Sequence, residues 1–495
     1  MLARMAWSRG PWAAISRKAA AWTFAAIAIL NVVVGATWCW LNLGHPPPYG
    51  DTARFRHFTE TLTVDHFHGA LYPLVLSLVD PWKGNLGRLQ LLQFGVLAIC
   101  LAYFIYALRG AEFARSAYGN RGVVGVFVSL LLLLLLDPLL AHFCLSVMQD
   151  SLALSGCLAF SAALAELMRD GRRRWVATAV LFAGFVLAAG VRIEKSWVLL
   201  VTVLATLPCW LLVARGFASA NPARLRARGG VALVIVLLGF AAVQTLQTSM
   251  YREPPRTPAF RLSRWPKLTT VLHHRVIFPN LTSVYDELSP KSRAMLTRKD
   301  AQIYDWKIHN TWIVTDRVTR GDPETRDRLT RDLASTAFKN RWAAIAADVA
   351  SDTAENVLAP LSFYIRLVNW SATGADRRAW ANRFEATPWT YHVLAGRYPP
   401  LSGLYLVLSG ILFLFASCLA LLHARASLRD KSWKPTRQTA FSLAPVVLLC
   451  VANAFAFSLS ADLVHPRYTI FAHTAGLLLV YRGALAWVLG ARPTG

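Results

Sequence analysis

Residues 122–136 read GVVGVFVSLLLLLLL and run into Asp137-Pro138; after a short gap, residues 149–168 read QDSLALSGCLAFSAALAELM. Each run approaches the ~20 residues that cross ~30 Å of hydrocarbon as a helix. Arg109, Arg115 and Arg121 precede the pair, and Arg169, Arg172, Arg173 and Arg174 follow it. The turn between them, 142–148, holds neither Lys nor Arg. Short loops rich in Lys and Arg stay on the cytoplasmic side of a membrane. The stretch therefore predicts two crossing helices, 122–141 and 149–168, joined on the outer face, with Asp137 as a helix terminator.

The same pattern extends along the chain. Further apolar runs lie at 19–42, 89–109, 175–191, 196–214, 230–247, 399–422, 439–459 and 468–489, the last interrupted by Arg482. With the first two they predict an all-α, polytopic transmembrane bundle of about ten spans. The first run, behind Arg4, Arg9, Arg17 and Lys18, is too long for a signal-peptide core and lacks an A-x-A site, so it reads as an uncleaved helix. Composition agrees. Hydrophobic residues are 55% and charged residues 16%, against about 25% charged in soluble proteins. Mean hydropathy is +0.40. The net charge of +25 would point to nucleic acid in a soluble chain. Here much of it sits in short inner loops, at Arg215, Arg224, Arg226 and Arg228 and at Arg425, Arg429, Lys431, Lys434 and Arg437, and reads as topology. No nucleic-acid partner is expected. The seven cysteines form no CxxC pair, so neither a disulfide framework nor a zinc site is expected.

This orientation places the N-terminus in the cytoplasm and 43–88, 192–195, 247–398 and 460–467 outside. The organisation is an N-terminal transmembrane module, 1–247, carrying the first outer loop, 43–88; an outer insert, 248–398; and a C-terminal transmembrane module, 399–495. Ala70 to Val79 is apolar but too short to span, which makes it an interfacial or re-entrant helix. Ser289-Pro290 and Asp322-Pro323 each read as an N-cap before proline. A helix from Asp322 to about Val357, broken near Asn340, follows, so the insert is expected to be small and mainly helical.

The first outer loop is rich in titratable groups: Asp51, Asp65, His66 and His68, followed by Tyr72-Pro73. Such groups suit proton abstraction from an acceptor, and equally solvate an ordinary loop. Asp150 opens the fourth span from the outer side, where a carboxylate also serves a helix N-terminus. Arg192, Glu194 and Lys195 form an outer turn, and Arg467 opens the last span. These cations run against the inner-side bias. They can hold a lipid phosphate, snorkel, or pair with a local acid such as Glu194.

The order of these features resembles the GT-C superfamily of integral-membrane glycosyltransferases. Its nearest types are the bacterial aminoarabinose transferases and the protein O-mannosyltransferases. The resemblance rests on Gly50-Asp51, on His68-Gly69 leading to Tyr72-Pro73-Leu74, on Asp150, on Arg192 and on Arg467-Tyr468. Thr52 stands where many members carry a second acid, and Gln149-Asp150 where they often have Ser-Glu. The resemblance implies a donor sugar on a polyprenyl phosphate and an acceptor that is a lipid, glycan or protein. It implies Asp51 as general base and Asp150 as second acid. His66, His68, Tyr72, Arg192, Lys195 and Arg467 become substrate-binding residues. No cofactor and no metal ligand is implied. The expected location is a bacterial inner membrane, with the site on the periplasmic face. The alternatives are a transporter or flippase, for which Asn31, Glu166 and His473 are the mid-span polar candidates, an O-antigen-type polymerase or ligase using His273, His274 and Arg275, and a membrane scaffold.

Overall fold

A computed structural model describes residues 11–46, 52–64, 68–108, 119–168, 174–215, 222–251, 276–277, 280–304, 315, 317–358, 363–364, 398–429, 437–460 and 466–489. Asp51, His66 and the alternative trio His273, His274 and Arg275 lie outside the described residues.

The described chain is an all-α bundle without β-strands; one isolated bridge joins Val64 and Tyr251. Its long helices are α1 (Pro11–Asn42), α4 (Leu86–Leu108), α5 (Gly119–Leu135), α7 (Asp150–Met168), α8 (Arg174–Val191), α9 (Lys195–Arg215), α10 (Pro222–Met250), α14 (Pro323–Val357), α15 (Pro399–Arg429), α16 (Arg437–Ser460) and α17 (Pro466–Val488). Shorter ones are α2 (Thr52–Thr61), α3 (Leu71–Val79), α6 (Pro138–Leu145), α11 (Leu281–Val284), α12 (Pro290–Met295) and α13 (Arg298–Tyr304). Eight of the described helices are long and apolar enough to cross a membrane, nine if α5 and α6 form one span. The run expected at 439–459 lies in α16, whose apolar part is the shorter Leu443–Leu459. The protein is an integral membrane protein.

The run 122–141 corrects the expectation of one continuous helix. It breaks at Leu136-Asp137, and α6 leaves α5 at 62°. Proline supplies no N–H and clashes with the preceding turn. Asp137 then caps the new helix, its carboxylate accepting from the Leu139 and Leu140 amides at 3.1 and 3.3 Å.

Helices α7 and α8 approach most closely because glycine permits it. A Cβ on Gly156 would lie 2.4 Å from the Ala188 nitrogen, and one on Gly184 2.7 Å from the Phe160 nitrogen. Around this pair a continuous apolar core includes Leu101, Phe104, Leu158, Phe160, Phe185 and Leu199. A second core, with Leu281, Val284, Leu296, Leu329 and Leu333, belongs to the insert. There α14 begins on an Asp322 cap and is interrupted at Arg341, whose φ and ψ of −129° and 15° are not helical. A third cluster packs Phe55, Phe58, Tyr72 and Leu76 of the first loop on Leu89, Val147, Leu152 and Val191. The first loop thus covers the ends of α4, α7 and α8 at the insert end of the bundle.

Candidate functional site

Helices α7 and α8 run antiparallel, so the N-terminus of α7 meets the C-terminus of α8 at the insert end. Asp150 opens α7 and Arg192 directly follows α8. Each charge has the sign its own helix end favours, and they meet across the gap. Arg192 Nη2 lies 2.8 Å from Asp150 Oδ1, with side chains 3% and 1% exposed. Arg192 Nη1 reaches Glu194 Oε1, also at 2.8 Å. Two charges withdrawn from water this far need good pairing, because desolvation of each costs several kcal/mol.

Lys195 turns the other way. Its Nζ donates to Asn453 Oδ1 of α16. Partial burial pushes the Glu194 carboxyl up, but Arg192 and Lys195 outweigh it and hold the group below its ordinary value. Tyr72 is fully buried, edge-on to Phe55 at 4.9 Å. Burial, and then the Asp150 charge, push its hydroxyl well above the ordinary tyrosine range. That hydroxyl has no hydrogen-bond partner among the described residues.

The loop beneath is fixed by backbone contacts. Gly69 donates to the Val191 carbonyl at 3.2 Å. A Cβ there would sit 2.2 Å from the Gly190 oxygen, so only glycine fits. Gln247 of α10 clamps either side, donating to the His68 carbonyl and accepting from the Ala70 amide, both at 3.0 Å. The His68 ring packs against Phe55 and Phe58 at 5.2 and 5.3 Å. From α4, Gln93 donates to the Cys144 and Ser146 carbonyls and accepts from Ser151, all at 2.9 Å. This holds the turn that delivers Asp150.

The structure therefore gathers Tyr72, Asp150, Arg192 and Lys195 at one end of the bundle and seats His68 in the loop beside them. Arg467 is the second residue of α17, its side chain outside what is described; Asp51 and His66 are not placed. Asn453 was missed by the sequence reading. An asparagine inside an apolar run was the available signal, but its partner is 258 positions away. Also missed was a second buried cluster at the α5–α6 break. There Asp137 lies 3.0 Å from His473 Nε2 of α17 and accepts from the Tyr364 hydroxyl at 2.5 Å. Among the described residues no group of three or more His, Cys, Asp or Glu side chains is placed to hold a metal ion.

Fold and site together define the class: an all-helical polytopic membrane protein with a buried ion-pair network at one end. No known protein family, curated protein or solved structure matches the chain.

Proposed function

We propose that the protein is a membrane glycosyltransferase that moves a sugar from a polyprenyl-phosphate carrier to a lipid, glycan or protein acceptor. The observation that carries this reading is the convergence of Tyr72, Asp150, Arg192 and Lys195. Buried cations are costly in a membrane protein and are kept where they do work. In the reaction, the acceptor hydroxyl gives its proton to Asp51 and its oxygen bonds to the anomeric carbon. The bond from that carbon to the phosphate oxygen breaks, and the electron pair leaves with the lipid phosphate. Arg192 and Lys195 stabilise that charge as it develops. Asp150 is a positioning residue here: it fixes the Arg192 guanidinium and leaves proton transfer to Asp51.

The test is a transfer assay in lipid-reconstituted protein, offered a panel of radiolabelled undecaprenyl-phosphate sugars and envelope extract as acceptor. Wild type should transfer label. Asp51→Asn should lose about 10²–10⁴-fold in rate, the usual contribution of a general base, with an unchanged melting temperature. Transfer by Asp51→Asn at the wild-type rate removes Asp51 from the mechanism. A folded wild type that transfers from no donor ends the reading.

A second reading has its own observation. The Asp137–His473 pair, 1% exposed or less, sits at a 62° helix break. Buried titratable groups at broken helices are the usual sign of a transport path. Asp137→Asn abolishing solute or lipid movement in the same proteoliposomes would favour it.

A further inference from the structure

Helix α14 changes partners around the Arg341 break. Leu329, Leu333, Ala337 and, just past the break, Ile345 face the insert's own core. Beyond the break the helix lies along α16, where Asn356 Nδ2 donates to Ser458 Oγ at 3.0 Å. The two helices leave a groove of about 800 Å³ between them. Phe338, Trp342 and Val349 line one wall; Val451, Phe455 and Leu459 line the other. Phe338 is 59% exposed and Trp342 62%, and with the groove between the helices they make a contiguous apolar surface of the kind that marks a protein or membrane contact.

The α16 wall identifies what covers it. Val447, Val451, Phe455 and Leu459 are all exposed and recur every four residues, so they form one stripe down one helix face. Leu443–Leu459 is the apolar part of α16. The groove therefore takes in the end of a helix face apolar enough to lie against hydrocarbon. Lys339 and Arg341 are exposed beside Phe338 and Trp342, giving the aromatic and basic pair that marks a lipid headgroup level. Asp348 is also exposed on this half of α14 but does not line the groove.

We infer that α14 from Phe338 onward is a membrane-surface anchor whose groove against α16 holds the hydrocarbon tail of a phosphate-bearing bilayer lipid, with the phosphate at Lys339 and Arg341. The anchor fixes the insert on the lipid surface. It is independent of the sugar-transfer reading.

The experiment places a benzophenone side chain at Trp342, Ala346, Val447 or Arg331 of the full chain. Each protein is put in nanodiscs of mixed phosphatidylethanolamine and phosphatidylglycerol, irradiated, and its intact mass measured. Lipid adducts are expected at 342, 346 and 447, and none at 331, which is exposed in the first half of α14. The phosphatidylglycerol share of the adducts at 342 should exceed its share of the bilayer several-fold. It should fall to the bilayer value in Lys339→Gln/Arg341→Gln with the melting temperature unchanged. Lipid adducts at 447 with none at 342 or 346 overturn the inference. So do protein–protein adducts at 342, which would show that a second copy of the chain covers the groove.

Discussion

Arg192 touches acids from two directions, at Asp150 and Glu194, and that arrangement can be measured. Arg192→Met removes the guanidinium and leaves the Asp150 carboxylate buried. Breaking one side of a buried pair costs about 3–5 kcal/mol, which should appear as a large drop in melting temperature in detergent. Asp150→Asn combined with Arg192→Met should recover part of it, with a coupling of roughly 0.5–3 kcal/mol. Strict additivity of the two single variants would show that the pair is not coupled. The sequence made these residues visible because Arg192 and Lys195 stand against the inner-side bias of the other cations. It did not show what they touch. Glu194 is two positions away and could be foreseen as a partner. Asp150 and Asn453 come from other helices, and no local pattern fixes which helix faces which.

At the scale of elements, the α7–α8 contact depends on one glycine from each helix. Gly156→Ala puts a Cβ against the backbone of α8 and not against a side chain that can swing aside. Overpacking of this kind costs about 1–3 kcal/mol, so Gly156→Ala and Gly184→Ala should both lower the melting temperature. Gly125→Ala in α5, with no neighbour near its Cβ, should hold or raise it. Equal behaviour of all three variants would reject close α7–α8 packing. The insert has a pH-dependent joint at Asp332. Burial pushes its carboxyl up, but hydrogen bonds from Ser289, at 2.6 Å, and Ser292 outweigh this and hold it below its ordinary value. A lowered folded value means that the stabilisation is present above the unfolded carboxylate range, about 3.9, and is lost as pH falls below it. Hydrogen exchange in the full chain should show residues 289–295 opening in Asp332→Asn at neutral pH, and in wild type only in acid. Protection unchanged by Asp332→Asn would remove this joint. Legibility at this scale was uneven. The Asp322 cap and the break near Asn340 could be read locally, because caps and prolines act within one turn. At Asp137 the sequence marks an ending and not a new beginning. Asp137 also binds Tyr364 and His473, and such distant partners leave no mark on hydropathy.

For the whole molecule, the crossing number decides which side each end occupies. Eight long helices, the α5–α6 pair and α16 make ten crossings if the pair crosses once and Arg437–Ser460 crosses in full. Helix α5 has 17 residues, about 25 Å at 1.5 Å per residue, which is close to the hydrocarbon thickness by itself. Helix α6, with 8 residues, is too short to return. The pair therefore counts as one crossing, with α6 lying near the insert end, where Gln90 and Gln93 of α4 bind its last carbonyls. Ten crossings put both termini on the same side, and from the Arg-rich short loops we propose that this side is the cytoplasm. A green fluorescent protein fused after Gly495 should therefore fluoresce in cells, and alkaline phosphatase at the same point should be inactive. Phosphatase inserted at exposed Arg328 of α14 should be active, since the insert lies between α10 and α15 on the opposite face. An active phosphatase after Gly495 together with an active one at Arg328 would mean an even number of crossings after the insert, leaving α16 as the helix that fails to cross. An inactive phosphatase at Arg328 would invert the whole bundle and put the Asp150–Arg192 end in the cytoplasm. There a donor exposed only at the outer face could not reach it, and the transfer reading would fall with the topology.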